Sequence, residues 1–379
     1  MMNHSSNHSA SSPTQQNGRQ SSADSTRFLS KRLKGVQISG IGSSAPSTVV
    51  TNQAISTLVD TSDEWISSRT GILERRVVQG DEKISDFAVD AAKKALAHAN
   101  LPGESVDLIV AACSTPDTLY PGIACVVQQA INAKHAAGFD LALACTGFIA
   151  ALNTAEQFLR TGTYRNALVI GADVHSRYMN WTDRNTCILF GDGAGACVLT
   201  ASDTEDHFFS HNLHIDGWKG AQLLMPIDVD NCPLVSQRTK PEKGLVMNGR
   251  EVFKFAVSVV PSSIEAALAE AGLGVQDIDF YVLHQANIRI MQSMSERLNI
   301  PADKLIVNLD RYGNTSAASI PLALDEAVQD GRIQPGMLVL LCGFGGGLSW
   351  GTSIMRWTCA APSPEMQLQK ASSLASPVL

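Results

Sequence analysis

Apolar strands alternate with alanine-rich amphipathic helices along most of this chain. The segment 91–114 runs through an alanine-rich helix, a turn with glycine, an aspartate and an apolar strand, and the segment 262–285 repeats this order. From Ile264 to Ala271 the apolar side chains recur at the i, i+3, i+4, i+7 spacing that places them on one helical face. The pattern predicts α/β units in which strands that are apolar on both faces are covered by helices above and below.

The repeat extends to a second pair of strands. Apolar strands begin at Asp107 and at Asp279, and each is followed at nearly the same distance by another, "ALVIGADV" near residue 167 and "MLVLLCGFG" near residue 337. Similar segments at a nearly constant offset indicate a duplicated unit. We therefore predict an α/β core built from two similar halves, with alanine-rich helices forming a layer that both halves share.

The two ends of the chain differ from this core in composition. Residues 1–33 are rich in Ser, Asn and Gln, nearly lack large apolar side chains and have no hydrophobic stretch for a secretory signal. Their one acidic residue is Asp24 and their basic residues come late, which is also typical of a plastid transit peptide. We predict a disordered or targeting tail over 1–33, an N-terminal half over 34–205, a C-terminal half over 206–358 and a loose tail over 359–379.

Composition and charge argue against several classes of function. The chain is 44% hydrophobic and 17% charged, as is usual for a globular protein, and no uninterrupted apolar run reaches the roughly 18 residues that span a bilayer. A net charge of −7 argues against nucleic-acid binding. The eight cysteines form no C-x-x-C pair, and no H-E-x-x-H motif occurs. We expect reduced thiols, no metal site, and neither a nucleic-acid nor a membrane partner.

Three polar residues stand at the ends of predicted strands or in turns, where open α/β sheets usually place their sites. Cys145 joins a strand to a helix in "FDLALACTGFIAAL", and a helix N-terminus there favours a thiolate. By position alone it fits either a nucleophile or another buried thiol. His284 follows the apolar strand "YVL" and fits a hydrogen-bonded core residue as well as a functional one. Asn314, in "RYGNTSAASIP", fits a turn residue on its own.

Three glycine-rich segments predict different structures. "VQISGIGSSAP" resembles a dinucleotide-binding fingerprint, but Pro46 and an extended stretch follow where the fingerprint needs a helix, so we do not expect NAD binding. "GDGAGA" at 191–196 lacks the G-K-[S/T] ending of a P-loop and predicts a tight turn between strands. "GFGGGLSWG" at 343–351 exposes backbone N–H groups after a strand, which suits an oxyanion site or simply a tight turn.

A Cys, a His and an Asn near such a glycine loop together favour acyl transfer, since the thiol can accept an acyl group and the other two can stabilise an anion. In this combination the chain resembles the β-ketoacyl-acyl-carrier-protein synthase III family, the initiating condensing enzymes of fatty-acid synthesis in the thiolase-like superfamily. The resemblance covers about residues 35–357. It rests on six motifs in the same order: "TSDEWISSRTGILERR" (61–76), "ALACTGF" (142–148), "WTDRNTCILFGDGAGA" (181–196), "LHQAN" (283–287), "GNTSAASIP" (313–321) and "GFGGGLSWG" (343–351).

The resemblance implies a fold, an assembly and a reaction. The fold is an α/β thiolase-like sandwich of five layers, αβαβα, from two duplicated halves, and the assembly is a homodimer. The reaction condenses an acyl-CoA primer with malonyl-acyl-carrier protein through an acyl-cysteine, with loss of CO₂. The resemblance also implies that Cys145 is the nucleophile and that His284 and Asn314 are the other catalytic residues. The N–H groups of Cys145 and Gly346 would form the oxyanion hole. No cofactor is bound permanently, because coenzyme A enters as part of the substrate.

The resemblance also assigns binding residues. Trp65 and Arg184 are expected to sandwich the adenine of coenzyme A, with Arg69 in contact with it. Tyr120 is expected to close the acyl pocket of the partner subunit, and a large aromatic side chain there favours acetyl-CoA as the primer.

The acidic carrier protein implies a basic docking face, for which Lys254, Arg289 and Arg297 are the candidates, with Arg250 as a further one. Glu296 departs from the family, which often has a basic residue beside Arg297.

Two alternatives use the same scaffold: a condensing enzyme that starts quinolone or polyketide synthesis, and an acyltransferase, a type that often lacks the His or Asn. The expected compartment is the cytoplasm, or a plastid if residues 1–33 are a transit peptide.

Overall fold

The computed structural model describes residues 34–240 and 244–361. The predicted N-terminal tail, 1–33, lies outside the described residues, and so do residues 362–379 of the predicted C-terminal tail. Cys359, the first residue of that C-terminal tail, is buried with the apolar core. The predicted boundary is therefore wrong at this residue, because the chain is still packed there.

Helices and strands alternate through the described residues. The strands are β1 (Gly35–Ser44), β2 (Val49–Thr51), β3 (Glu74–Arg76), β4 (Leu108–Ala112), β5 (Ala137–Leu141), β6 (Asn166–Val174), β7 (Asp192–Ser202), β8 (Phe208–Ile215), β9 (Leu223–Leu224), β10 (Val246–Met247), β11 (Phe280–Leu283), β12 (Leu338–Gly345) and β13 (Ser349–Arg356). The α-helices are α1 (Asn52–Ile55), α2 (Asp63–Thr70), α3 (Ile84–His98), α4 (Ile123–Ala130), α5 (Gly147–Arg160), α6 (Gly249–Ala271), α7 (Ile288–Leu298), α8 (Leu309–Tyr312) and α9 (Ser319–Gln329). The 3₁₀ turns include Ala144–Thr146, His175–Tyr178 and Ser316–Ala318.

Two sheets of the same design confirm the duplication. The first has the order β1-β7-β6-β4-β5, with β4 parallel to β6 and to β5, and β7 antiparallel to β6 and to β1. The second has the order β8-β13-β12-β11, with β11 parallel to β12, and β13 antiparallel to β12 and to β8. Each strand of the second sheet thus has a counterpart in the first, and β5 is the extra strand at the first sheet's edge.

Helices separate and cover these sheets, which confirms the five-layered αβαβα sandwich. The central core contains Phe148 and Leu152 of α5 and Leu324 of α9, packed with Val110 of one sheet and Val282 of the other. Helices α3 and α4 cover the outer face of the first sheet, and α6 and α7 cover that of the second. Strands covered in this way are apolar on both faces, as the sequence pattern predicts.

Small residues set the distance between the layers. A Cβ on Gly40 of β1 would lie 2.3 Å from the carbonyl oxygen of Ala95 on α3. A Cβ on Gly195 would lie 2.6 Å from the Pro321 side chain on α9. The expected turn at 191–196 is therefore wrong: most of that segment forms the start of β7, and its glycines admit a helix onto the strand.

Helix α6 is long and apolar enough, by length and composition, to cross a membrane. Half of its most apolar window is buried in the protein, however, as in the core helix of a soluble domain. The predicted apolar face from Ile264 to Leu268 packs into the core beneath the second sheet. In this fold α6 is an outer cover of that sheet.

Candidate active site

The polar residues singled out in the sequence converge on one cavity of about 1610 Å³. Its wall includes Cys145 from the turn between β5 and α5, His284 from the end of β11, and Asn314 from the loop after α8. The loop Gly345–Gly347, between β12 and β13, completes this part of the wall. The two halves of the chain therefore bring a thiol, an imidazole, an amide and a row of backbone N–H groups together.

The turn that carries Cys145 is held by contacts from both halves. Ala144 has a φ of +43°, a left-handed conformation that costs free energy for a residue with a Cβ. Its N–H donates to the Ser114 hydroxyl at 3.2 Å. On the other side of Cys145, Ser349 of β13 donates to the Thr146 hydroxyl at 2.9 Å. The sulfur is therefore fixed between a loop of the first half and a strand of the second.

The glycine loop lies directly against this turn. A Cβ on Gly345 would lie 2.7 Å from the Cβ of Cys145 and 3.1 Å from its Sγ, closer than non-bonded atoms approach. A Cβ on Gly346 would lie 3.2 Å from the Cβ of Ala144. Glycine is required at 345 because only a backbone without a side chain can pass this close to the thiol.

His284 is fully buried and held in one orientation. Its Nδ1 lies 2.6 Å from the Ser319 hydroxyl of α9, and its ring packs edge-on against Phe344 with 5.2 Å between centroids. Burial, assisted by the nearby His175, lowers the pKa of His284 to about 3. The imidazole is therefore neutral at physiological pH, and with Nδ1 engaged, Nε2 is the nitrogen available to a ligand.

Asn314 is positioned through its backbone and one end of its amide. Its N–H donates to the Leu189 carbonyl at 2.8 Å, and its own carbonyl accepts from the Gly191 N–H at 3.0 Å. Its Oδ1 accepts the N–H of Ser316 at 2.9 Å. These bonds leave the Nδ2 amide as the donor that this side chain can offer to a ligand in the cavity.

Burial dominates the acidity of Cys145. Desolvation raises the pKa of the thiol to about 12, although the hydroxyl of Ser316 and the N–H of Cys145 itself lower it. Burial therefore opposes the thiolate that the helix terminus was expected to favour, and the thiol form predominates in the empty cavity.

A buried carboxylate, Asp173, lies behind the site and was not among the residues predicted from the sequence. It accepts the N–H of Ser114 at 2.8 Å, the Thr115 hydroxyl at 2.9 Å and the N–H of Ala317 at 3.2 Å. Ser114 supports the turn of Cys145, and Ala317 belongs to the turn after Asn314. One side chain thus connects both turns. Its only sequence signal is an acid at the end of the apolar strand "ALVIGADV".

The three residues expected to bind coenzyme A lie together near one part of the cavity. Trp65 and Arg69 of α2 line it. The guanidinium of Arg184 lies 4.9 Å from the centre of the Trp65 ring, and that of Arg69 lies 5.9 Å from it. Because Arg184 stacks directly on Trp65, a planar base enters between them only after the two side chains separate.

The basic residues expected to dock a carrier protein are divided. Lys254 and Arg289 line the cavity, and Lys254 forms an ion pair with Glu251 at 2.6 Å. Arg297 does not line it and donates to the Val257 carbonyl at 3.0 Å. The structure therefore brings two of the three candidates to the cavity.

Tyr120 is 86% exposed and does not line the cavity of its own subunit, whereas the preceding Leu119 does. A side chain in this position can reach a second molecule but cannot close its own pocket. In residues 34–240 and 244–361, no group of three or more His, Cys, Asp or Glu side chains could hold a metal ion.

We predict that the neutral, buried His284 makes stability depend on pH. Because its pKa falls from 6.5 to about 3 on folding, the unfolded chain binds more protons between these values. The free energy of unfolding therefore has its full value above pH 6.5. It decreases as the pH falls below 6.5, with a slope of up to about 1.4 kcal/mol per pH unit. Urea unfolding between pH 7 and pH 5 measures this slope. His284→Gln should show a shallower one, and equal slopes in the two proteins would contradict the assignment.

Comparison with known proteins agrees with this geometry. A family model for the 3-oxoacyl-[acyl-carrier-protein] synthase III C terminal matches residues 268–357, and one for 3-oxoacyl-[acyl-carrier-protein] synthase III matches residues 139–217. A β-ketoacyl-[acyl-carrier-protein] synthase III of Microcystis aeruginosa is 52% identical over 326 residues, which cover 85% of this chain and 97% of the relative. One from Bacillus anthracis is 49% identical over 322 residues, 85% of this chain and 99% of the relative.

Solved structures give the same result. The crystal structure of 3-oxoacyl-[acyl-carrier-protein] synthase III from Aquifex aeolicus is 42% identical with a TM-score of 0.78, and the match covers 85% of this chain and all of that one. The priming β-ketosynthase of the R1128 polyketide pathway is 34% identical with a TM-score of 0.78, over 86% of this chain and 98% of that one. The similarity extends over nearly all of the described residues.

Proposed function

Because this chain belongs to the β-ketoacyl-[acyl-carrier-protein] synthase III family, and is therefore an initiating condensing enzyme of fatty-acid synthesis, we propose that Cys145, His284 and Asn314 carry out its reaction. The observation that carries this assignment is their convergence, with the glycine loop Gly345–Gly347, on one cavity. Together they supply three functions: Cys145 is the nucleophile, His284 and Asn314 donate to an anion, and the glycine loop offers backbone N–H groups.

In the first half-reaction the Sγ of Cys145 attacks the thioester carbonyl of an acyl-CoA. A C–S bond forms to Cys145, the C–S bond to coenzyme A breaks, and the thiol proton ends on the departing coenzyme A. The N–H groups of Cys145 and Gly346 stabilise the oxyanion that forms in between. The close approach of Gly345 to the sulfur of Cys145 supports this role, because it brings the glycine loop against the nucleophile.

In the second half-reaction malonyl-acyl-carrier protein enters, and Nε2–H of His284 and the Nδ2 amide of Asn314 donate to its thioester carbonyl. Loss of CO₂ leaves an enolate whose charge these donors stabilise, each by roughly 3 to 4 kcal/mol. Its carbon then bonds to the acyl carbon on Cys145, the C–S bond to Cys145 breaks, and the sulfur takes up a proton from solvent. The β-ketoacyl product leaves on the carrier protein. The neutral state of His284 supports this step, because a neutral ring with the Ser319 hydroxyl at Nδ1 can carry its one proton on Nε2 and donate it.

The substrates' carriers bind at the charged part of the cavity in this proposal. Coenzyme A lies with its adenine between Trp65 and Arg184 once these separate, and with Arg69 in contact. The acidic carrier protein docks on Lys254, Arg289 and Arg297, of which the first two line the cavity.

We further propose a homodimer that pairs along the sheet edge at β5. Residues Ala137 to Asp140 of this strand are exposed, and an exposed edge strand offers unpaired backbone groups to a second chain. The exposed Tyr120 then reaches the partner's pocket. The compartment is the cytoplasm, or a plastid if residues 1–33 direct the chain there.

The primer assignment gives a direct test. Since the ring of Tyr120 shortens the partner's pocket, kcat/KM for acetyl-CoA should exceed that for octanoyl-CoA by about tenfold or more. Tyr120→Ala should raise the octanoyl-CoA value, and Tyr120→Phe, which keeps the bulk, should not. A wild-type preference for octanoyl-CoA would contradict the acetyl assignment and favour a starter condensing enzyme of secondary metabolism.

A further inference from the structure

A second histidine, His175, lies in the cavity wall without a role in the reaction above. It begins the 3₁₀ turn after β6 and is only 3% exposed. Its Nδ1 is fully covered and has no hydrogen-bond partner among the described residues. Nε2 takes part in no hydrogen bond within the described chain either, so Nε2 is the nitrogen that a ligand can reach.

Apolar side chains surround the ring on which His175 stacks. The His175 and Phe190 rings lie 4.9 Å apart between centroids with 14° between their planes, which fixes the plane of the imidazole. The cavity wall next to Phe190 is formed by apolar side chains: Met179, Leu189, Leu223, Leu245 and Met247. Asp192 lies close enough to His175 to interact with it electrostatically, but its carboxylate is already hydrogen-bonded to Ser176 and Val78. His175 is therefore an unpaired hydrogen-bonding group beside an apolar section of the wall.

The primer's acyl group is the part of the substrates that suits this section. Coenzyme A and the acyl carrier protein are both negatively charged. They therefore suit the basic part of the wall, which contains Arg69, Lys254 and Arg289. Phe190, on which His175 stacks, also forms a parallel β-bridge with Asn314, so His175 lies near the reacting end of the cavity. His175 and Cys145 line the same cavity, and a short acyl group that extends from the thioester along this wall can approach His175.

We propose that His175 is a specificity-determining residue that selects a short primer carrying a hydroxyl group, so that the enzyme accepts hydroxyacyl-CoA as well as acetyl-CoA. This inference rests on the proposed function. An alkyl chain in the pocket leaves the imidazole unpaired, whereas a hydroxyl both donates and accepts and so pairs with Nε2 in either tautomer. The preorganised ring loses no further freedom on binding.

The chemistry is that of the first half-reaction with another acyl group. Cys145 Sγ bonds to the carbonyl carbon of 3-hydroxybutyryl-CoA, the C–S bond to coenzyme A breaks, and the thiol proton ends on coenzyme A. The hydroxyl takes no part in the bond changes. It remains on the acyl-enzyme, hydrogen-bonded to His175.

The test compares 3-hydroxybutyryl-CoA with butyryl-CoA, which differ by one oxygen. The second-order rate of acylation is measured for each by the mass of the intact full-length protein. Wild type should prefer the hydroxyl compound by about tenfold, the expected effect of pairing one buried polar group. His175→Leu should lower this ratio to about one or below. His135→Leu, the same change at an exposed histidine outside the cavity, should keep the wild-type ratio.

A wild-type ratio at or below one overturns the inference, and so does a ratio that His175→Leu leaves unchanged. If His175→Leu does not fold, His175→Gln, which keeps a hydrogen-bonding group, should keep a ratio above one. Acetyl-CoA separates this inference from the proposed function. If acetyl-CoA acylates the protein but 3-hydroxybutyryl-CoA and butyryl-CoA react at equal rates, only the role of His175 is wrong. If none of the three thioesters acylates the protein, the proposed function is wrong.

Discussion

Cys145→Ser is expected to abolish transfer of the acyl group to the protein, lowering its rate by more than about 10³-fold. Both side chains are protonated at rest, but a serine hydroxyl ionises far less readily than a thiol and is a far weaker nucleophile. The neighbouring imidazole cannot act as a strong base for it, because burial holds the pKa of His284 at about 3. The mass of the intact protein after incubation with acetyl-CoA measures the effect directly.

An exposed cysteine provides the matched control. Cys125→Ser makes the same atomic change on the surface of α4 and should take up one acetyl group at the wild-type rate. Acetylation of Cys145→Ser at the wild-type rate would mean that another residue is the nucleophile.

Asn314→Ala is expected to separate the two half-reactions. The mutant should still form acetyl-Cys145, because Asn314 donates to the malonyl thioester and not to the primer. It should lose malonyl decarboxylation, and condensation with it, by about 10²- to 10³-fold, the usual effect of removing one such donor. Intact mass reports the first step, and CO₂ release from malonyl-acyl-carrier protein reports the second.

The alanine variant also removes the Oδ1 that accepts the Ser316 N–H, which leaves that N–H unpaired and destabilises the turn. Asn314→Asp avoids this, because it keeps an oxygen acceptor for the Ser316 N–H. Its carboxylate cannot donate and repels the enolate, so its loss of decarboxylation should be at least as large as that of Asn314→Ala. Both variants should show a selective loss of decarboxylation. Blocked acylation with intact decarboxylation would move Asn314 to the first half-reaction, and loss of neither would leave it as a turn residue.

The sequence was enough to predict what depends on periodicity and on position along a strand. The spacing of apolar residues predicts the duplicated halves, and the polar residues Cys145 and His284 at strand ends predict where the cavity forms. These features are local, or follow from the topology of a parallel sheet whose strands end at the same edge.

The failures concern properties that only the folded chain has. "GDGAGA" is mostly strand because this part of β7 pairs with β1 and β6, and Pro321, more than a hundred residues later, packs against Gly195 there. The acidity of Cys145 follows its burial, which outweighs the helix terminus that a sequence shows. Asp173 gains its role only when the turns at Ser114 and Ala317 meet. Each case depends on a contact between residues far apart in the chain.

The most direct test of the account follows one labelled acetyl group through both half-reactions. Wild-type protein is incubated with radiolabelled acetyl-CoA alone, freed of excess substrate, divided for peptide mapping, and then given malonyl-acyl-carrier protein. We expect the label on the peptide with Cys145, and we expect it to pass to β-ketoacyl-acyl-carrier protein in an amount equal to that lost from Cys145. Label on another residue, or product formed while Cys145 keeps its label, would contradict the account.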